Sequence, residues 1–348
     1  MKTFNPQALL RPNLTGLKSY SSAREEYAME TGMSFLDANE NPFDSGLNRY
    51  PDPQQQALKN KLAELKQVAA SKIILGNGSD ELLDLLIRCF CQPGVDTVIS
   101  LPPTYGMYGI LSRINGVQVV EVPLTKDFQP DLDAISQAVQ ATTKILFLCS
   151  PNNPSGNSFE PRYITNILES FPGIVVLDEA YADFADKSWL DSLDKYPNLV
   201  ILQTFSKAYG LAGVRLGAGY ASEEIIRLLN KIKLPYNVNL LTQQVALERL
   251  EDSAGIDQEI QNILDQRAYL HNRLESMPFV RKIYPSDANF LLVKVDDALL
   301  RYKQFLEAGI VVRNRSGELN CEQTLRITVG TPQENDRLLK VAENFKQI

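Results

Sequence analysis

Short apolar runs that alternate with amphipathic stretches constrain the fold of this chain more than any other feature. The runs are bounded by Gly, Pro and Asn and cover residues 95–101, 117–124, 144–149, 173–177, 198–204 and 216–220. Continuous apolar character of this kind is typical of strands that are buried on both faces. Between them, residues 79–90, 131–140 and 162–171 show helical periodicity. The alternation predicts an α/β fold with a mostly parallel sheet between helices.

The pattern changes in the last third of the chain. Residues 237–276 form one long helical stretch, which is followed by predicted strands at 289–295, 309–313 and 324–329 and by predicted helices at 298–308 and 333–347. Strands mixed with helices here indicate a second, smaller α+β domain, as 348 residues also suggest. We expect a large domain at residues 35–249 and a small domain made of residues 1–34 with 250–348. The first thirty residues are expected to pack on the small domain.

Charge and cysteine usage exclude several classes of function. The net charge is -7 and the pI is about 5.1, whereas nucleic-acid partners select basic surfaces. No apolar stretch approaches the length of a membrane span, and residues 1–11 lack the apolar core of a signal peptide, so we expect a cytoplasmic protein. The four cysteines form no CxxC pair, and the single histidine, His271, cannot complete a zinc site with them. We therefore predict reduced, buried thiols, no metal site and no role for His271.

Residues 204–217 carry the strongest chemical signal. Lys207 comes directly after an apolar run, and ligand sites of parallel sheets lie outside the carboxyl ends of strands. A lysine there can form a Schiff base if burial and the nearby charge of Arg215 lower its pKa. Arg215, with the hydroxyls of Thr204 and Ser206, suits a phosphate group. The alternative is a solvated loop lysine beside a surface arginine.

A carboxylate ends the run at residues 174–178. Asp178 is placed to pair with a pyridinium nitrogen, and Tyr181 follows closely enough to donate to a phenolic oxygen of the same ring. The alternative is a magnesium-binding Asp-Glu pair. The phosphate loop that accompanies such pairs, GxxxxGK[ST], does not occur in the chain.

Two turns add polar groups at other strand ends. Gly78, Ser79 and Asp80 open the helix at residues 79–90, where backbone N–H groups and the helix dipole favour phosphate. Asn153 lies in a turn that prolines and Gly156 hold rigid, so that its amide can reach a ring oxygen. Each turn alone is equally compatible with simple capping or chain reversal.

Together these four sites suit the parts of one cofactor, pyridoxal 5'-phosphate. The chain resembles the fold-type I enzymes that use this cofactor, and within them the class II histidinol-phosphate aminotransferase family. The resemblance extends almost from end to end, at residues 36–42, 49–53, 76–82, 102–108, 152–156, 178–181, 206–217 and 325–330. The lysine, aspartate and asparagine motifs belong to all class I and II aminotransferases, whereas the Asn-Glu-Asn-Pro, Arg-Tyr-Pro-Asp and Leu-Arg-Ile-Thr-Val-Gly segments are more specific.

The resemblance implies roles for the cofactor-binding residues. Tyr105 would stack on the ring, and Gly78 to Asp80 would hold the phosphate together with Ser206 and Arg215. Tyr50 would reach the phosphate in the partner subunit, so that the active site spans a homodimer interface.

The resemblance also implies a reaction. Lys207 would bind the cofactor and move the proton while an amino group passes between L-histidinol phosphate and 2-oxoglutarate in histidine biosynthesis, EC 2.6.1.9. Arg326 would bind the acidic group of each substrate, with Arg313 and Tyr20 completing the substrate site.

Other activities share the same motifs. An aminotransferase for aromatic amino acids and a phosphothreonine decarboxylase would both keep Lys207 and Asp178. A cofactor-binding regulator is a further alternative, but it would need a DNA-binding module and a basic patch, which the acidic chain disfavours.

Overall fold

The computed structural model describes residues 4–18 and 34–346. A seven-stranded sheet forms its centre, in the order β1-β7-β6-β5-β4-β2-β3. Strands β2 to β6 are parallel, and β7 is antiparallel to both of its neighbours. The strands are β1 (Ile73–Asn77), β2 (Thr97–Ser100), β3 (Gln118–Glu121), β4 (Thr143–Cys149), β5 (Ile174–Asp178), β6 (Leu199–Thr204) and β7 (Leu216–Ala221).

A smaller sheet follows in the chain, with the order β10-β11-β9-β8 and antiparallel pairing throughout. Its strands are β8 (Val280–Ile283), β9 (Phe290–Val295), β10 (Arg313–Asn314) and β11 (Thr324–Thr328). The predicted α/β class with a smaller α+β unit is confirmed.

Helices cover both sheets. They are α1 (Gln56–Lys66), α2 (Ser79–Phe90), α3 (Met107–Ile114), α4 (Leu132–Ala138), α5 (Pro161–Ser170), α6 (Glu223–Asn230), α7 (Leu240–Glu251), α8 (Ser253–Glu275), α9 (Ala298–Glu307) and α10 (Pro332–Ala342). Buried apolar side chains pack on the two faces of the large sheet, and strand β9 of the small sheet contributes side chains to two clusters, one on each of its faces. In the described part of the chain, no helix is both long and apolar enough to span a membrane.

Several elements differ from their sequence predictions. Strands β1 and β8 and helices α1, α3 and α6 were not predicted. The stretch 237–276 contains two helices, because Asp252 ends α7 and its side chain accepts a hydrogen bond from the Gly255 N–H at the start of α8. Strand β3 is not buried on both faces, because it lies at the edge of the sheet. The predicted strand at 309–313 overlaps the two-residue strand β10 at Arg313 alone.

The first described segment packs on the large sheet, not on the small one. Arg11 donates from its backbone N–H to the Cys89 carbonyl at 3.0 Å and from its side chain to the Arg88 carbonyl at 3.1 Å. Leu9 and Leu10 contact the apolar cluster that includes α2. The prediction that this segment packs on the small domain is therefore wrong for residues 4–14. The physical reason is that α2 offers an apolar surface next to the end of the sheet.

The domain limit near residue 249 stays a prediction. Helix α8 contributes Ile256 to the large core and Leu270 and Leu274 to the small one, so it connects the two. All four cysteines are free and buried, in agreement with the prediction.

Candidate active site

A cavity of about 780 Å³ opens at the carboxyl ends of the parallel strands, beside the small sheet. Most residues that the sequence singled out line it. They are Ser79, Asp80, Tyr105, Asn153, Asp178, Tyr181, Thr204, Ser206, Lys207, Arg215, Arg313 and Arg326. Gly78 directly precedes this set at the start of α2. Tyr20 lies outside the described residues.

Lys207 follows β6, and its ammonium nitrogen lies 5.7 Å from the centre of the Tyr181 ring. Burial lowers the pKa of Lys207, and the positive charges of Arg326 and Arg215 lower it further. This lowering of the pKa agrees with the sequence prediction. The contribution of Arg326 was not predicted, because this residue is far from Lys207 in the chain. A lowered pKa increases the fraction of neutral amine, which is the form that attacks a carbonyl or accepts a proton.

Asp178 ends β5 and is almost completely buried. The hydroxyl of Tyr108 donates to its Oδ2 atom at 2.6 Å, and the Ala180 N–H donates to Oδ1 at 3.1 Å. Burial raises the pKa of Asp178 to about 6, although these two hydrogen bonds favour the charged form. Among the described residues, no lysine or arginine forms an ion pair with Asp178. A buried carboxylate that borders a cavity and has no ion-pair partner among these residues fits a protonated ring nitrogen.

The start of α2 forms a cradle of donors. No side chain caps this helix, so its first N–H groups remain available to a ligand. Gly78 has φ +75°, and a Cβ atom there would lie 2.7 Å from a terminal nitrogen of Arg215. Arg215 also donates to the Ser206 hydroxyl at 3.4 Å. Backbone N–H groups, a guanidinium and a hydroxyl at one place fit a phosphate.

The aromatic ring of Tyr105 borders the same cavity. Its hydroxyl donates to Oδ1 of Asp80 at 3.1 Å, and its ring makes an edge contact with Tyr108, with centroids 5.6 Å apart. Asp80 in turn lies 3.7 Å from Arg215. These contacts hold Tyr105 next to the cradle, where a flat ring can stack on it.

Arginines line the side of the cavity formed by the small sheet. Arg326 donates to Oδ1 of Asn153 at 2.5 Å, which leaves the amide NH₂ of Asn153 as the group that can donate to a ligand. Arg313 lies directly opposite Arg326 in the β10–β11 register. Burial lowers the pKa of Arg326, and the neighbouring charges of Arg315 and Arg313 act in the same direction. Cations that repel one another in this way favour an anionic ligand.

Sequence reasoning missed three residues around the cavity. Tyr108 contacts Asp178, and Arg315 and Glu318 line the wall next to Arg326. Tyr108 belongs to a segment that was noted for its family resemblance, yet nothing in the sequence indicates its contact.

Tyr50 lies apart from the cavity of its own chain. It does not line that cavity, and its side chain is 49% exposed. The ring stacks on Tyr236, with centroids 4.5 Å apart and an angle of 16° between the planes.

Comparison with known proteins places the site in context. The sequence profile of the family described as aminotransferase class I and II matches residues 34–341. The histidinol-phosphate aminotransferase of Christiangramia forsetii is 57% identical over 350 residues, which covers 100% of this chain and 99% of that protein. The histidinol-phosphate aminotransferase of Flavobacterium johnsoniae is 57% identical over 343 residues, which covers 98% of each chain.

A solved structure supports the same comparison. The histidinol-phosphate aminotransferase from Sinorhizobium meliloti, in complex with pyridoxal-5'-phosphate, superposes with a TM-score of 0.77 at 26% identity. The match covers 85% of this chain and 82% of that one.

Proposed function

Because the chain belongs to the class I and II aminotransferase family, we propose that it is a pyridoxal-phosphate-dependent histidinol-phosphate aminotransferase. The reaction would transfer an amino group between L-histidinol phosphate and 2-oxoglutarate. The assignment of the substrate rests on the 57% identity, over the whole chain, to relatives with this activity in their names. The arginines around the cavity agree with it, since both substrates are anionic.

The residues around the cavity fit the cofactor. The start of α2, Ser206 and Arg215 would hold its phosphate, Tyr105 would stack on the ring, and buried Asp178 would face the ring nitrogen. Pyridoxal phosphate supplies a protonated ring that withdraws electrons from the substrate carbon.

Lys207 is the proposed proton carrier. Its Nζ atom would hold the cofactor at rest and, once the substrate amine has displaced it, would take the proton from the substrate carbon. The lowered pKa favours the neutral form that this step needs. The charges of Arg326 and Arg215 keep the amine from regaining its proton from solvent too readily.

Asp178, Tyr181 and Asn153 would orient the ring. The charged carboxylate of Asp178 keeps the ring nitrogen protonated. Tyr181 and the NH₂ group of Asn153 are hydrogen-bond donors on the cavity wall, which suits the phenolic oxygen of the ring. Two donors at this oxygen stabilise its negative charge.

The same wall would bind both substrates. Arg326 and Arg313 present planar donor groups, which pair with a phosphate in one half-reaction and with a carboxylate in the other. Tyr20 is proposed to complete this site on the grounds of family resemblance.

We further propose a homodimer in which Tyr50 reaches the cofactor phosphate of the partner subunit. The exposed position of Tyr50, outside the cavity of its own chain, supports this arrangement. Leu234 is exposed and lies two positions before Tyr236, on which Tyr50 stacks, and the partner would cover this apolar side chain.

The test is an absorbance spectrum of the purified protein, followed by kinetics. A visible band of lysine-bound cofactor should convert on addition of histidinol phosphate and return with 2-oxoglutarate. Lys207→Ala should lose both the band and turnover, whereas the exposed control Lys195→Ala should retain both. A band that responds to phenylalanine or phosphothreonine but ignores histidinol phosphate would replace the proposed substrate.

A further inference from the structure

Arg315 is a third guanidinium on the substrate side of the cavity. Its side chain is 19% exposed, and it lines the cavity together with Arg313 and Arg326. It lowers the pKa of Arg326 more strongly than Arg313 does, and it opposes the rise in the pKa of Tyr181 that burial causes. Arg315 therefore acts electrostatically on the wall where the substrate anion is expected.

The donors of Arg315 are only partly satisfied. One terminal nitrogen pairs with Oε1 of Glu318 at 2.6 Å. Its Nε atom is buried and has no hydrogen-bond partner among residues 4–18 and 34–346. A buried donor without a partner costs free energy, so the protein itself does not fully satisfy the guanidinium of Arg315.

The loop that carries Arg315 is held in place. The Arg315 N–H donates to the Thr324 carbonyl at 2.9 Å, and the Glu318 N–H donates to the Arg315 carbonyl at 2.9 Å. Asn320 reaches the Leu124 carbonyl of the large domain at 3.4 Å. The guanidinium is thus positioned by backbone contacts before any substrate binds, which limits the entropy lost on binding.

Charge on this wall matches a phosphate better than a carboxylate. Three arginines and Glu318 leave two positive charges, and a phosphate monoester carries nearly two negative charges at neutral pH. A carboxylate carries one negative charge and has two acceptor oxygens, whereas a phosphate monoester has three, so a carboxylate offsets less of this positive charge and accepts fewer hydrogen bonds.

We propose that Arg315, with Glu318 as its resident counter-ion, determines the preference of this site for a phosphate over a carboxylate. This inference rests on the proposed function. When a phosphate enters, Arg315 donates to it from the part of its guanidinium that Glu318 does not hold, and Glu318 retains its hydrogen bond to a terminal nitrogen. A carboxylate is bound by Arg326 and Arg313 and gains little from Arg315.

The experiment measures each half-reaction separately by rapid mixing of the holoenzyme with histidinol phosphate or glutamate. Arg315→Gln should lower kcat/KM for histidinol phosphate by roughly 10- to 100-fold, the range for a hydrogen bond to a charged group, and that for glutamate by a smaller factor. Arg315→Lys should recover part of the discrimination, since it keeps the charge without the planar fork. Arg281→Gln, an exposed arginine on β8, is the matched control.

The variant Glu318→Gln separates the role of the counter-ion from the role of Arg315. It removes one negative charge from the wall but leaves an acceptor for Arg315, so kcat/KM for histidinol phosphate should rise. The double variant with Arg315→Gln should discriminate like Arg315→Gln alone. Two outcomes would overturn this inference while the proposed function stands. One is that Arg315→Gln lowers kcat/KM equally for both substrates. The other is that Glu318→Gln lowers kcat/KM for histidinol phosphate as much as Arg315→Gln does. If the unaltered enzyme does not react with histidinol phosphate at all, the proposed function and this inference fail together.

Discussion

The Tyr108 hydroxyl donates a 2.6 Å hydrogen bond to Oδ2 of Asp178. Tyr108 is wholly buried, and its ring stacks on Phe147 with centroids 4.8 Å apart. The tyrosine is therefore held in one orientation, and its proton favours the charged form of the carboxylate against the effect of burial. This contact tunes the group that is proposed to face the cofactor ring.

Tyr108→Phe should raise the pKa of Asp178 above its present value of about 6, because the charged form loses a donor. Cofactor affinity should fall, and the pH below which the cofactor-free protein loses this affinity should move upward by about one unit, as a titration with cofactor at several pH values measures. Tyr163→Phe, on the surface of α5, serves as control. An unchanged pH dependence of cofactor affinity would show that Tyr108 only fills space.

Asp178→Asn should stabilise the cofactor-free protein at neutral pH. The pKa of Asp178 is about 6 in the folded chain and 3.8 ordinarily, so this residue adds stability below pH 3.8 that is lost as pH rises to about 6. Above that pH the native protein carries a buried charge, and its removal should be worth about 1–3 kcal/mol. Urea unfolding at acidic and neutral pH measures the difference. With bound cofactor, Asp178→Asn should instead lower the free energy of unfolding. If the variant without cofactor is less stable than the unaltered protein at neutral pH, the argument is contradicted.

Gly78→Ala should weaken cofactor binding roughly 10- to 100-fold, as expected when a charged phosphate contact is displaced. Its Cβ atom would lie 2.7 Å from Arg215, and the residue has φ +75°. Gly94→Ala is a matched control, since Gly94 has φ +72° and open space around the added atom. Spectroscopic titration of the cofactor-free variants gives the affinities. Equal losses in both variants would indicate backbone strain alone.

Hybrid dimers test the proposed role of Tyr50. Lys207→Ala and Tyr50→Ala should each be nearly inactive, because each lacks one part of every site. A hybrid of the two contains one site with both residues intact, so random mixing should restore about a quarter of the activity of the unaltered enzyme. Measurement after unfolding and refolding the mixture shows this recovery. Activity no higher than the average of the two variants would mean that the site lies within one subunit.

Much of the site was predictable because parallel strands end at a common edge. Lys207, Asp178 and Asn153 each follow an apolar run, and the structure places them around one cavity. Strand β1 was not predicted, because its five residues end in Gly76 and Asn77, which are typical of a turn.

Contacts between residues that are distant in the chain could not be predicted from the sequence. Tyr108 and Asp178 are 70 positions apart, and their hydrogen bond depends on how α3 packs on the sheet. The N-terminal segment has apolar side chains that could pack on either domain, and only the surface of α2 determined which one.

The sequence by itself determined the fold class and the chemical types gathered at the strand ends, because local hydrophobic patterns control which segments become buried strands. The tertiary structure alone decided which charges act on one another. Arg313 and Arg326 meet through the β10–β11 register, and Arg315 joins them through the loop that follows. Register and packing arise from contacts across the whole chain, so no local pattern records them.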